Sequence, residues 1–186
     1  MNDWYAKQAF TGLLRDAVQR WGEREALSHE GQRWSFAELQ TAVDAAARGF
    51  LALGLARGDK VALWMPNRPQ WIVAFFALSK IGAVTVPVNT RFRTVDLEYV
   101  IRQSDASALI TVDRSGPVEY LQMTREVIAE IESAHADDLR APSFPALKRV
   151  IVCGDSPYTG TCSWDDMLGL GEAILASELE RRHAQV

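Results

Sequence analysis

Residues Lys60 to Val88 read KVALWMPNRPQWIVAFFALSKIGAVTVPV, and the fold turns on how this run divides. Lys60-Val-Ala-Leu-Trp64 is an unbroken apolar run of strand length. Asn67 and Pro69 then open a helix, because proline at a first helical position lacks only an amide that would have no intrahelical partner there. Trp71, Phe75, Leu78 and Ile81 recur at steps of three and four, which keeps one helix face apolar, and Gly82 supplies the stop. Ala83-Val-Thr-Val-Pro-Val88 is a second strand. Its Pro87 has no amide to donate, so it belongs near a strand end or at a sheet edge. A strand, a helix and a strand in this order make a βαβ crossover, and the two strands then run parallel.

The same alternation continues in both directions. Downstream, Thr94 is placed to cap a helix carrying Leu97, Val100 and Ile101, and Ala108-Leu-Ile-Thr-Val112 is a third strand. A long helix is expected over roughly Val118 to Ala134, and Arg149-Val-Ile-Val-Cys153 is a fourth strand. Residues 136–146 are polar with prolines and read as a surface loop, and a last helix is expected from Glu172 to Ala184. Upstream, Phe10, Leu13, Leu14, Ala17 and Val18 form one stripe of a helix from about Tyr5 to Trp21. Two short strands around Gly31-Gln32 follow, with Trp4 and Trp34 expected over the sheet edge. Ser35 and Glu38 then have the spacing of a capping box. The helix they open carries Phe36, Leu39, Val43, Ala46, Phe50 and Leu53 before Gly54. The strands are continuously apolar rather than alternating, as burial on both faces requires. The expected fold is therefore α/β, a parallel βαβ sheet with helices on both faces, in a single domain.

Composition is that of an ordinary globular chain: 186 residues, 48% hydrophobic, 24% charged, formal net charge -4 and a pI near 5.4. The acidic balance gives no support to a nucleic-acid partner, which would favour a basic face. The apolar run around Trp71 to Leu78 is far short of the roughly 20 residues that span a bilayer, so no transmembrane segment is expected. The N-terminus carries no basic stretch followed by an apolar core, and a secretory signal is not expected. The only cysteines, Cys153 in an apolar strand and Cys162 in a polar loop, fit neither a disulfide framework nor a zinc site. A reducing cytoplasm is the expected compartment.

In open parallel sheets ligands bind outside the carboxyl ends of the strands. Here those ends lead into Met65-Pro-Asn-Arg68, Asn89-Thr-Arg-Phe-Arg93, Asp113-Arg-Ser-Gly116 and Gly154-Asp-Ser-Pro157. The first two present a side-chain amide and arginine together, and Arg91 or Arg93 could bond a phosphate through charge-assisted contacts. The competing reading is a solvated loop arginine. Gly154 to Thr161 has two glycines six apart, an interrupting Pro157 and no lysine, so it is a plain loop rather than a phosphate cradle. His29, His135 and His183 are scattered, and Glu126, Glu130 and Glu132 lie on polar helix faces without metal-ligand spacing. Composition and spacing alone give no catalytic or metal-binding residue.

Four short motifs in order add a resemblance. Trp34-Ser-Phe-Ala-Glu-Leu39 resembles the box that opens the first conserved helix of adenylate-forming enzymes. Gly58-Asp-Lys-Val-Ala-Leu-Trp-Met-Pro-Asn67 is similar to their following strand and loop, and Leu78-Ser-Lys-Ile-Gly-Ala-Val-Thr-Val-Pro-Val-Asn89 to their helix-to-strand turn. Asp105-Ala-Ser-Ala-Leu-Ile-Thr111 fits the next strand. The resemblance implies the first part of the large N-terminal domain of that fold, in which ATP activates a carboxylate as an acyl-adenylate and ligases pass the acyl group to CoA. Asn89-Thr-Arg-Phe-Arg93 looks more like the CoA-ligase branch, where Asn-Pro-Arg is common; Thr90 departs from that proline. By the same resemblance Arg91 takes the place of an arginine that in some members lies near the CoA phosphates.

The family's Ser/Thr/Gly-rich phosphate loop, its adenine and ribose segments and its mobile C-terminal domain with the catalytic lysine have no counterpart in these 186 residues. The resemblance therefore implies a partial domain over residues 1–186, with no catalytic residue for adenylation. ATP, Mg and CoA are expected for the longer parent, a fatty- or aryl-acid ligase, and no cofactor is expected in this chain alone. The expected partners are the remainder of the ligase, or a second copy or complementary chain meeting an exposed apolar face.

Overall fold

A computed structural model describes residues 10–154 and 156–186. Helix α1 spans Phe10–Trp21; Trp4 and the expected turn of helix before Phe10 lie outside the described residues. Strands β1 (Glu25–His29) and β2 (Gln32–Ser35) pair antiparallel. Their turn places Glu30 at φ 47° and Gly31 at φ 81°, the positive pair that a type I′ hairpin needs.

Helix α2 (Phe36–Ala52) starts on the expected capping box: the Glu38 amide donates to Ser35 Oγ at 3.2 Å, and the Ser35 amide to Glu38 Oε2 at 2.8 Å. It ends with Gly54 at φ 83°, whose amide donates to Leu51 O while Leu55 donates to Phe50 O. This paired closure uses up two of the carbonyls that a helix end leaves without partners. Gly82 closes helix α3 (Pro69–Lys80) in the same way, through Gly82 to Ser79 O and Ala83 to Leu78 O.

The central sheet holds β3 (Lys60–Trp64), β4 (Val84–Pro87), β5 (Ala108–Val112), β6 (Arg149–Cys153) and β7 (Cys162–Ser163). All pairs are parallel, in the order β4-β3-β5-β6-β7. Pro87 is the last residue of the edge strand, which meets both sequence expectations for it. Every residue of β5, and all but the first of β3 and of β6, is buried. Leaving β3 toward β4 and returning from β4 to β5 are moves in opposite directions, so right-handed crossovers put α3 and helix α4 (Thr94–Ser104) on opposite faces. Helices α1, α2 and α3 pack together on one side with α6 (Trp164–Gly171), while α4 packs with α5 (Tyr120–Val127) on the other. This is the expected α/β architecture. Among the described residues no helix is long and apolar enough to cross a membrane.

Several boundaries differ from the sequence reading. Thr94 is the first residue inside α4 rather than its cap: Arg93 holds the cap position, and its amide donates to Asp96 Oδ2 at 3.0 Å. The long helix expected over 118–134 breaks at Ile128, and a 3-10 turn follows at Ala129–Glu132. Ile128 and Ile131 are both fully buried, and a Cβ at Gly160 would stand only 1.9 Å from Ile131 O. The loop after β6 therefore packs its backbone closely against this 3-10 turn. Cys162 lies in β7, not in a polar loop, and Ser163 accepts from the Asp166 amide at 3.0 Å to cap α6, a helix the sequence reading missed. The last helix, α7, covers Ala176–His183 and begins later than expected. Residues 136–146 carry no helix or strand, and Leu139, Ala141 and Phe144 within them are buried against the core.

Candidate functional site

Strand order reverses between β3 and β5, because the chain runs from β3 out to β4 and then back past β3 to β5. A crevice outside the carboxyl ends of these strands is where doubly wound sheets place ligands. Four loops surround it, and named side chains tie them together.

Arg68, in the loop after β3, donates from Nη1 to Cys153 O at 3.2 Å and from Nε to Gln70 Oε1 at 3.1 Å. Because β5 lies between β3 and β6, this guanidinium passes over the end of β5. Trp64 Nε1 donates to Asn89 O at 3.2 Å and so links β3 to the loop after β4. Thr111 Oγ on β5 donates to Trp64 O at 2.9 Å. The Tyr120 ring meets Trp64 edge-on at 4.8 Å, and its hydroxyl reaches Thr90 O at 3.4 Å. Burial pushes the Tyr120 phenol up, against a smaller opposing effect of the Arg93 charge. Across the crevice, Tyr158 donates to Asp113 Oδ2 at 2.8 Å and fastens the loop after β6 to the end of β5.

The loop Asn89–Arg93 holds its two arginines, which residue type and spacing leave equivalent, in different ways. Asn89 Oδ1 accepts from the Arg91 amide at 2.9 Å, a local turn typical of asparagine. Arg93 folds back over this turn, and its Nη1 donates to Thr90 O, Arg91 O and Phe92 O at 3.3, 3.0 and 2.8 Å. One of its two terminal nitrogens is thereby directed into its own loop. Arg91 is exposed, and its guanidinium makes no hydrogen bond or ion pair among the described residues. Of the two, Arg91 is the one placed to meet an anion.

The other candidates fall elsewhere. His29 lines a groove of about 360 Å³ with Asn67, Arg68 and Trp71, a juxtaposition that nothing in the sequence spacing signals. His135 lies in the loop after the 3-10 turn and His183 on α7. Burial pushes the Cys153 thiol up to about 12, and burial also raises Cys162, so neither is a thiolate near neutral pH. Among the described residues no group of three metal-ligating side chains is drawn together.

Comparison with known proteins bears on the family and the fold. Residues 14–163 match the family described as AMP-binding enzyme. YngI of Bacillus subtilis (strain 168), named as an acyl-CoA synthetase, is 33% identical over 172 residues, which are 91% of this chain and 31% of YngI. The mitochondrial medium-chain acyl-CoA ligase ACSF2 of Homo sapiens is 34% identical over 160 residues, 85% of this chain and 26% of ACSF2. The fold matches the anthranilate CoA ligase AuaEII, crystallised with anthranoyl-AMP, at a TM-score of 0.73 and 22% identity, covering 88% of this chain and 28% of that one. It also matches apo MbtA of Mycobacterium smegmatis at a TM-score of 0.70 and 26% identity, over 91% of this chain and 28% of MbtA. The chain thus spans under a third of the length of these relatives, and it belongs to the AMP-binding enzyme family whose acyl-CoA ligases it resembles over that part.

Proposed function

We propose that this chain is the N-terminal scaffold of an ATP-dependent fatty- or aryl-acid CoA ligase, with Arg91 contacting a CoA phosphate in the whole enzyme. The parent reaction joins a carboxylate to ATP, giving an acyl-adenylate and pyrophosphate. The CoA thiol then displaces AMP and forms the thioester. The observation that carries the role of Arg91 is its unpaired guanidinium, exposed on a loop pinned by Trp64, Tyr120 and Arg93. Arginine suits a phosphate because its planar fork bonds two oxygens at once and stays charged at any working pH.

ATP, Mg and the adenylation chemistry are assigned to no residue here. They belong to segments that the longer relatives carry, and the chain alone is inactive in this reading. Titration of the chain with CoA and with dephospho-CoA, followed by amide shifts of residues 89–93, tests the arginine. Shifts that Arg91→Ala abolishes support its role; equal shifts in the variant contradict it.

A second reading is a non-catalytic module that assembles with itself or with a complementary chain. Val95 and Tyr99, one turn apart on α4, are 77% and 65% exposed and favour this reading. Large apolar side chains clustered on one exposed helix face commonly mark a contact surface.

A further inference from the structure

A cleft of about 230 Å³ opens between α1, α2, α3 and α7 and shares no lining residue with the crevice at the strand ends. Leu14 and Val18 of α1, Val43 of α2 and Phe76 of α3 give it apolar walls. Its polar lining includes two groups with bonding capacity to spare. Lys80 is 7% exposed, with Asp44 Oδ1 at 2.8 Å and Glu180 Oε1 at 3.1 Å from its ammonium. An ammonium carries three donors, and two carboxylates leave one over. His183, on α7, lines the same cleft, and its Nδ1 is shielded from solvent and has no hydrogen-bond partner among the described residues.

We propose that this cleft binds a small neutral amphiphile, one aromatic or alicyclic ring bearing a hydroxyl. Size is the first argument: an apolar cavity of about 150 Å³ takes up benzene, so this one has room for a ring with a short polar arm. Charge is the second. Arg15 and Lys80 balance Asp44 and Glu180 in the lining. A ligand carboxylate would therefore compete with two carboxylates already on Lys80, and would leave the lining with a net negative charge. A hydroxyl both accepts and donates, so it can meet the spare Lys80 donor or the His183 nitrogen without adding charge. The closing wall comes from α7, whose ties to the body include the Lys80–Glu180 ion pair, the buried Leu179 and a hydrogen bond from Arg57 to Gln185 O.

The test is a titration of the whole chain with benzyl alcohol, toluene and benzoate, followed by amide chemical shifts. Benzyl alcohol is expected to give saturable shifts confined to residues 14–19, 40–44 and 180–183, with benzoate about tenfold weaker. Val18→Trp, at a half-buried wall position, fills the cleft and is expected to weaken benzyl alcohol by about tenfold or more. His183→Phe, on the terminal helix, is expected to narrow the preference for benzyl alcohol over toluene, and far-UV circular dichroism checks that both variants keep the fold. Non-saturable shifts, shifts scattered outside these segments, equal binding by benzoate, or undiminished binding in a folded Val18→Trp would overturn the proposal.

Discussion

Arg68 and Cys153 are joined across the top of β5: the arginine Nη1 donates to the Cys153 carbonyl at 3.2 Å, from a position 85 residues earlier in the chain. Arg68→Met removes this bond and the one to Gln70 while keeping much of the side-chain volume. A charged hydrogen bond in a half-buried setting contributes on the order of 1 kcal/mol. Thermal unfolding of the variant should therefore begin lower, with Tm down by about 2–4 °C for a chain of this size. An unchanged Tm would mean that the link has no energetic role.

Gly49 and Gly171 let two helices touch at the backbone. A Cβ at Gly49 would lie 2.7 Å from Met167 O, and one at Gly171 would lie 2.6 Å from the Gly49 nitrogen. In an isolated helix Gly→Ala would stabilise. Here Gly49→Ala is expected to destabilise by about 1–3 kcal/mol, since overpacking forces α2 and α6 apart. Urea denaturation reads this as a lower midpoint with an unchanged slope. A raised midpoint would show that the crossing yields easily.

The cysteines give a prediction about pH. Between the ordinary thiol value of 9.0 and about 12, the unfolded chain has lost a proton that folded Cys153 still holds. Native stability therefore falls as pH rises through that range, and the contribution from Cys153 is fully present below 9.0. At pH 8 a thiol reagent should label neither cysteine in the folded chain and both in denaturant, because both are buried. Rapid native labelling of Cys153 would contradict its placement.

Much of the fold is legible because its signals are local. The Ser35–Glu38 box, the stops at Gly54 and Gly82, and the apolar runs of β3, β5 and β6 each need only a few neighbouring residues to be read. The misses come from distant partners. Periodicity carries a helix straight through Ile128, whereas the chain turns there into a 3-10 segment against which the Gly160 backbone packs closely. Helix α6 was hidden by Gly169 and Gly171, which look like helix breakers until α2 is seen against Gly171; the spacing of Ser163 and Asp166 was the available clue. At the candidate site residue types alone left Arg91 and Arg93 equivalent, and only the resemblance to a family singled out Arg91. Their structural difference depends on which carbonyls the Asn89 turn aims at Arg93, a property of three-dimensional backbone direction.

Val95 and Tyr99, the two exposed large apolar side chains described on α4, separate a scaffold from a self-assembling module. If Val95 and Tyr99 form a contact between copies, light scattering should show a mass that rises with concentration, and Val95→Lys with Tyr99→Lys should return it to that of one chain. A monomer at all concentrations would remove the self-association reading.

In the proposed function this chain is ligase scaffold, and the adenylation centre lies in segments of the longer parent. ATP–pyrophosphate exchange tests it most directly, with the purified chain, Mg and a panel of fatty and aryl carboxylates. No carboxylate-dependent exchange above the protein-free background is expected. Exchange that requires both the chain and a particular acid would contradict it.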